Sequence, residues 1–212
     1  MSESFAVFNT HPTAGVQVES PLVWSYQQTA APVVQGKAGI ILRERPCLGH
    51  LTLRGAAIAL DSALRAVLSL SLPAQPLSIT QDASGDYSAQ WLSPDEWLLI
   101  VPPGEEFEVE NRLRAALGDA HVAIVNVSGG QTLLELEGEH VRDLLQKSVI
   151  YDVHPQNFPA GKGVMTCFAK ASVILRRPDA QRWQLVIRRS FADYSYRWLL
   201  DAGAEYGIDV LS

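Results

Sequence analysis

Two cysteines in 212 residues, Cys47 and Cys167, are too few for a disulfide framework. No Cys-x-x-Cys or His-x-x-x-His spacing is present to gather a metal ion. No Gly-x-Gly-x-x-Gly follows an apolar strand, and Ala160-Gly-Lys-Gly163 lacks both the Walker spacing and a hydroxyl after its lysine. A dinucleotide site of the Rossmann kind is therefore not expected. The longest apolar runs, Trp97 to Val101 and His121 to Val127, are strand-length and far short of the roughly 20 residues a membrane helix needs. Met1 to Thr10 shows neither a basic start nor an apolar core, which sets the expectation of a cytoplasmic, membrane-free protein. Basic side chains are scarce as well: 17 Lys and Arg against 23 Asp and Glu give a net charge of −6, the wrong sign for a dedicated nucleic-acid binder.

What is present is an ordinary globular composition, 47% hydrophobic and 19% charged. Residues 1–39 are rich in Ser, Thr, Ala, Gln and Pro and carry no sustained period, so they read as an extended arm. The arm nevertheless contains Phe5, Phe8, Trp24 and Tyr26, large apolar side chains that need a surface to pack on. That surface is either the chain's own domain or another chain. The expectation taken forward is a partner subunit, with the arm ordered only in the complex.

Beyond the arm one pattern occurs twice. His50 to Arg54 reads as a strand, and Gly55 opens a helix with the stripe Leu60, Leu64, Val67, Leu68, stopped by Pro73 and Pro76. Strands at Leu77 to Gln81 and Tyr87 to Leu92 follow. A Ser93-Pro-Asp95 turn, a strand at Trp97 to Val101, and a helix presenting Val109, Leu113, Ala116 and Leu117 complete the unit. The second copy runs through a strand at Gln131 to Leu136, a helix from Gly138, strands at Met165 to Ala169 and Val173 to Leu175, the Pro178-Asp179 turn, and a strand at Trp183 to Ile187. A last helix then shows Phe191, Tyr194, Trp198, Leu199 and Ala202, with Ser190 to Asp193 spaced as a capping box. Gly55 and Pro94 stand 39 positions apart, and Gly138 and Pro178 stand 40 apart. The expected architecture is α+β, two related split β-α-β lobes at 40–120 and 121–212 packed as one body.

Residues able to do chemistry are scattered. Asp152 and His154 flank one residue and either form a carboxylate–imidazole pair or brace the loop before Pro155. Ser128 precedes two glycines without a partner base, which points to a hairpin turn. Arg176-Arg177, Arg182 and Arg188-Arg189 either grip a carboxylate or phosphate or form a solvated strand edge or subunit contact.

Four blocks carry a resemblance: Leu42 to Gly55 (LRERPCLGHLTLRG), Trp91 to Ile100 (WLSPDEWLLI), Asn126 to Gly130 (NVSGG) and Arg188 to Ala192 (RRSFA). Together they resemble the gamma subunits of heterotetrameric sarcosine oxidases, from about residue 40 to the carboxyl terminus. The resemblance implies a subunit of an oxidoreductase complex that demethylates sarcosine to glycine and passes the one-carbon unit to tetrahydrofolate. It implies alpha, beta and delta subunits as partners, with FAD, FMN, NAD, zinc and tetrahydrofolate on those subunits and no cofactor on this one. The implied fold is similar to the folate-binding aminomethyltransferase of the glycine cleavage system. That family carries Asp-Val-Ser-His where this chain has Asn126-Val-Ser128-Gly129, and an amide takes up no proton at working pH. Its later Gly-Gly-x-x-Asp-Asp segment has no counterpart in Lys170 to Leu175. The expected role is therefore non-catalytic, with Phe5, Phe8, Trp24, Tyr26, Arg188 and Arg189 as interface residues. A free-standing folate-dependent transferase and the equivalent subunit for another N-methyl amino acid are the alternatives.

Overall fold

The computed structural model describes residues 17–28 and 37–211. Its elements are α1 (Val23–Gln28), β1 (Ile40–Arg45), β2 (Gly49–Gly55), α2 (Ala57–Leu68), β3 (Ile79–Gln81), β4 (Ser88–Ser93), β5 (Glu96–Val101), α3 (Glu106–Leu117) and β6 (Val122–Asn126). There follow β7 (Gln131–Glu137), α4 (Val141–Ser148), β8 (Lys162–Phe168), β9 (Ala171–Arg177), β10 (Arg182–Arg188), α5 (Ala192–Ala202) and β11 (Ile208–Leu211).

The strands form a five-stranded sheet, β3-β4-β5-β2-β6, and a six-stranded sheet, β11-β1-β7-β10-β9-β8. In the first, β2 and β4 are both antiparallel to β5, which lies between them. In the second, β7 and β9 flank β10 in the same way. Alternation along each strand sorts side chains to two faces. Leu51, Leu53, Trp97, Leu99 and Val101 meet Leu60 and Leu64 of α2 and Val109 and Leu113 of α3. Leu134, Leu136, Leu175 and Leu185 meet Leu144 and Leu145 of α4 and Tyr196 and Leu199 of α5. The faces left over pack on each other through Leu98, Ile100, Leu133 and Val186. The order of layers is helices, sheet, sheet, helices.

Two glycines make the sharp turn from strand to helix possible. Gly55 has φ +142° and Gly138 φ +128°, and a Cβ at Gly138 would lie 2.2 Å from the Gly39 carbonyl oxygen. Along one side the sheets are stitched together: Ile79 N–H donates to the Gly161 carbonyl at 2.8 Å and Gly163 N–H to the Leu77 carbonyl at 2.9 Å. Gly161 is a turn residue at φ +82°, and Gly163 lies within β8, where Gln90 covers it.

Several expectations need correction. The division at residue 120 does not follow the sheets, because β1 pairs with β7 and β6 with β2. Helix α2 ends at Ser69, four residues before Pro73. Ser69 turns left-handed (φ 54°), its N–H reaches the Arg65 carbonyl, and Leu70 N–H reaches back to Leu64 above a buried Leu70. Helix α5 buries Ala192, Ser195, Tyr196, Leu199 and Leu200, so Phe191 and Tyr194 face outward. Its expected capping box is absent; Asp193 accepts instead from Ser25 Oγ (2.7 Å) and Arg197. Strand β11 and helix α1 had no expected counterpart.

The layer between the sheets is not purely apolar. His50, Ser88, Gln90, Glu135, Arg176 and Gln184 are buried there beside the four aliphatic residues. His50 Nδ1–H donates to the Leu48 carbonyl (3.0 Å), and burial pushes its imidazole down from 6.5 to about 4. A folded value below the unfolded one means the unfolded chain binds the extra proton, so the contribution is complete above pH 6.5 and is lost as pH falls toward 4. Wild type should lose up to about 3 kcal/mol over that window relative to His50→Gln. Parallel urea titrations of the two proteins, with converging midpoints at low pH expected, check this.

Candidate subunit interface

Strands β1 and β2 belong to different sheets, as do β6 and β7, so the turn at 46–48 and the loop at 127–130 both carry the chain across the sandwich. They cross side by side. Ser128 Oγ accepts from His50 N–H at 2.9 Å, and Val127 N–H donates to the His50 carbonyl at 2.9 Å. Asn126 Oδ1 accepts from Ser128 N–H at 3.0 Å, closing an Asx turn. Ser128 thus sits in a sheet-to-sheet crossover and not in a hairpin. The Asn126 amide is exposed and occupied in local backbone support.

The end of β10 joins the same place, with Arg189 N–H donating to the Gly130 carbonyl at 2.9 Å and Arg189 Nη1 to the Glu19 carbonyl at 3.3 Å. The segment 17–28 lies here too. Its Leu22 is fully buried in the core beneath the larger sheet. Glu44, buried on β1, accepts from Ser20 Oγ (2.5 Å), Thr132 Oγ1 (2.6 Å) and Tyr26 Oη (3.2 Å). Tyr26 stands edge-on to Tyr196 with centroids 5.3 Å apart, and burial together with Glu44 drives its phenol far above the ordinary range, keeping it protonated. Cys47, at φ 60° in the turn, has its thiol pushed up by burial and next by Glu44, which disfavours the reactive thiolate.

The expectation that the arm is ordered only against a partner is thereby corrected for residues 17–28: Leu22, Ser25 and Tyr26 are used internally. Phe5 and Phe8 lie outside the described residues. Trp24 is different, 64% exposed on α1. Val18 and Phe191 are exposed as well, and Arg188 and Arg189 are exposed at the end of β10. The result is an outward surface of apolar and basic side chains around the start of α5.

Other sequence candidates disperse. Asp152 accepts from His154 N–H (2.9 Å) and from the Asn157 amide, so the pair braces its loop. Of the five arginines, Arg176 is fully buried. Arg177 binds the Phe158 carbonyl at 2.8 Å and stacks over Trp183, and Arg182 pairs with Asp179 at 2.6 Å. Among the described residues no three His, Cys, Asp or Glu side chains converge as a metal-ligand set. A groove of about 750 Å³ opens between the sheets, lined by Thr52, Glu96, Met165, Cys167, Val186 and Arg188. It brings together no nucleophile–base pair.

This arrangement defines a class: α+β proteins in which two sheets pack face to face between helices. Aminomethyltransferase T of the glycine cleavage system from Bartonella henselae shares it, with TM-score 0.63 over 90% of this chain and 58% of that one; at 10% identity the likeness is one of fold. Residues 54–205 match the family model described as sarcosine oxidase, gamma subunit family. The chain is 32% identical over 177 residues to sarcosine oxidase subunit gamma of Corynebacterium sp. (strain U-96), covering 83% of this chain and 85% of that protein. It is also 32% identical over 183 residues to the gamma subunit of Arthrobacter sp, covering 85% and 89%. A chain of the heterotetrameric sarcosine oxidase from Corynebacterium sp. U-96, solved with pyrrole 2-carboxylate, superposes with TM-score 0.78 at 29% identity, over 92% of this chain and 98% of that chain. The chain belongs to the sarcosine oxidase gamma subunit family.

Because Leu22 fills the protein's own core, Leu22→Ala should cost about 2–5 kcal/mol. Deleting residues 1–28 should likewise lower the melting temperature of the chain measured alone. An unchanged melting temperature in both would return the segment to the role of a passive tail.

Proposed function

We propose that this chain acts as the non-catalytic gamma subunit of a heterotetrameric sarcosine oxidase, presenting the surface of Trp24, Phe191, Arg188 and Arg189 to a larger subunit. The observation that carries the reading is the convergence of three family-like blocks, Leu42 to Gly55, Asn126 to Gly130 and Arg188 to Ala192, on one surface that leaves a tryptophan 64% exposed. Aromatic and arginine side chains dominate the energetic centres of interfaces, and the exposed Trp24, with Arg189 tied to the same segment through the Glu19 carbonyl, has that composition. In this reading the partners are the alpha, beta and delta subunits, which carry FAD, FMN, NAD, zinc and tetrahydrofolate, and the complex works in the cytoplasm. No helix among the described residues is long and apolar enough to cross a membrane.

The same reading treats the two sheets as products of one duplicated split β-α-β unit. Its support is the matching order of β2-α2-β3-β4-β5-α3 and β7-α4-β8-β9-β10-α5, with a positive-φ glycine at each strand-to-helix turn. In the smaller sheet β6 lies beside β2; in the larger, β1 takes the place beside β7 and moves β11 outward. A free-standing folate transferase finds no support in a site where Asn126 replaces the carboxylate and serves its own turn.

Co-expression with the flavoprotein and zinc-subunit genes tests the proposal. The wild-type chain should co-purify with them in fixed stoichiometry. The Trp24→Ala, Arg188→Ala double variant should keep its melting temperature while losing about tenfold or more in affinity for the assembly. Failure of the wild type to associate rejects the subunit reading. Normal assembly of the variant rejects this surface alone.

A further inference from the structure

Arg176 is the largest fully buried side chain of the described residues, and it sits between the sheets. Its Nη2 donates to Ser88 Oγ at 2.8 Å, while its Nε has no protein partner. No acidic side chain compensates it: burial alone acts on the guanidinium, pushing it down to about 10, which still leaves it charged at neutral pH. On the facing sheet His50 lies within its field, itself buried, neutral and held down further by Arg176. Glu135, the buried carboxylate of this layer, is taken by Gln184 (3.0 Å), Arg182 (3.8 Å) and Arg43 (4.0 Å). A cation withdrawn from water without a counter-charge is among the costliest arrangements in a protein interior.

Beside Arg176 the sheets leave a cavity of about 30 Å³. Two further cations line it, Arg45, which is exposed, and Arg182, which also pairs with Asp179 and Glu135; Ser88, Gln81 and Gln184 complete the lining, and its one carboxylate, Asp86, is exposed to solvent. The volume admits a water-sized particle, so a monatomic anion fits it. We propose that this cavity is a binding site for a single halide ion, chloride under physiological conditions, which neutralises Arg176 and clamps the two sheets together. The ion would take the unpartnered Nε–H of Arg176 and the Ser88 hydroxyl as donors, within the field of Arg45 and Arg182. The site is independent of the subunit surface and stands or falls separately from it.

Thermal unfolding of the purified full chain at about 0.3 M sodium chloride, against sodium gluconate of equal ionic strength, reads the site directly. Chloride should raise the melting temperature of wild type by about 2–4 °C. Arg176→Met, which keeps the bulk and removes the charge, should melt at the same temperature in both salts. Crystals soaked in bromide should show an anomalous peak within hydrogen-bonding distance of the Arg176 guanidinium. Equal melting of wild type in the two salts, or a bromide-free position at Arg176 occupied by water, overturns the proposal. Should Arg176→Met fail to fold, the bromide position decides alone.

Discussion

Helices cover one face of each sheet, so the two remaining faces must be buried against each other, and the apolar contact between them is narrow: Leu98, Ile100, Leu133 and Val186 are buried there, with Leu48, Leu92 and Ile174 packed against them. Everything else follows from how that narrow contact is extended. On one side β3 and β8 are joined by backbone hydrogen bonds at 77–79 and 161–163. At one end the chain itself crosses twice, with Ser128 tied to His50. Around the aliphatic strip lie buried polar side chains, which hold the faces in one register because each demands a specific partner. Gln90 illustrates this, its amide spanning from the first sheet to the Gly163 carbonyl of the second at 3.0 Å.

In the proposed reading the same end of the sandwich links stability to recognition. Glu44 gathers three hydroxyl donors from β7 and from residues 17–28, and Leu22 seals the core beneath them. The amino-terminal segment is therefore a structural clip as well as the carrier of an exposed tryptophan. Fixing a short helix such as α1 against the body lowers the ordering cost of any later contact made through Trp24. A rigid, preformed surface suits a subunit whose task is to be held in an assembly and not to open and close around a substrate.

Much of the fold was legible because its signals were local. Strand-length apolar runs such as Trp97 to Val101, the α2 stripe at Leu60 and Leu64, and the paired Gly and Pro-Asp signals all report short-range constraints, and the structure has elements at each. What escaped depended on distant partners. β11 pairs in parallel with β1, residues 40 with 208, and β1 pairs in turn with β7, contacts no window of sequence contains. The placing of β1 in the second sheet and β6 in the first failed for the same reason. Arg176 is the clearest loss: it stands in an Arg-Arg pair that reads as solvated, yet alternation along β9 turns Arg176 inward and Arg177 to the Phe158 carbonyl. The inward aim of Leu22 was equally hidden in a segment without periodicity.

Hydrogen exchange of the chain, alone and in the assembled oxidase, measures the central claim most directly. The account predicts that residues 17–28 are already protected in the free chain, and that assembly adds protection at α1, at 127–130 and at 188–192. New protection confined to the edge of the larger sheet around Ile150 and Met165, with those segments unchanged, would contradict it.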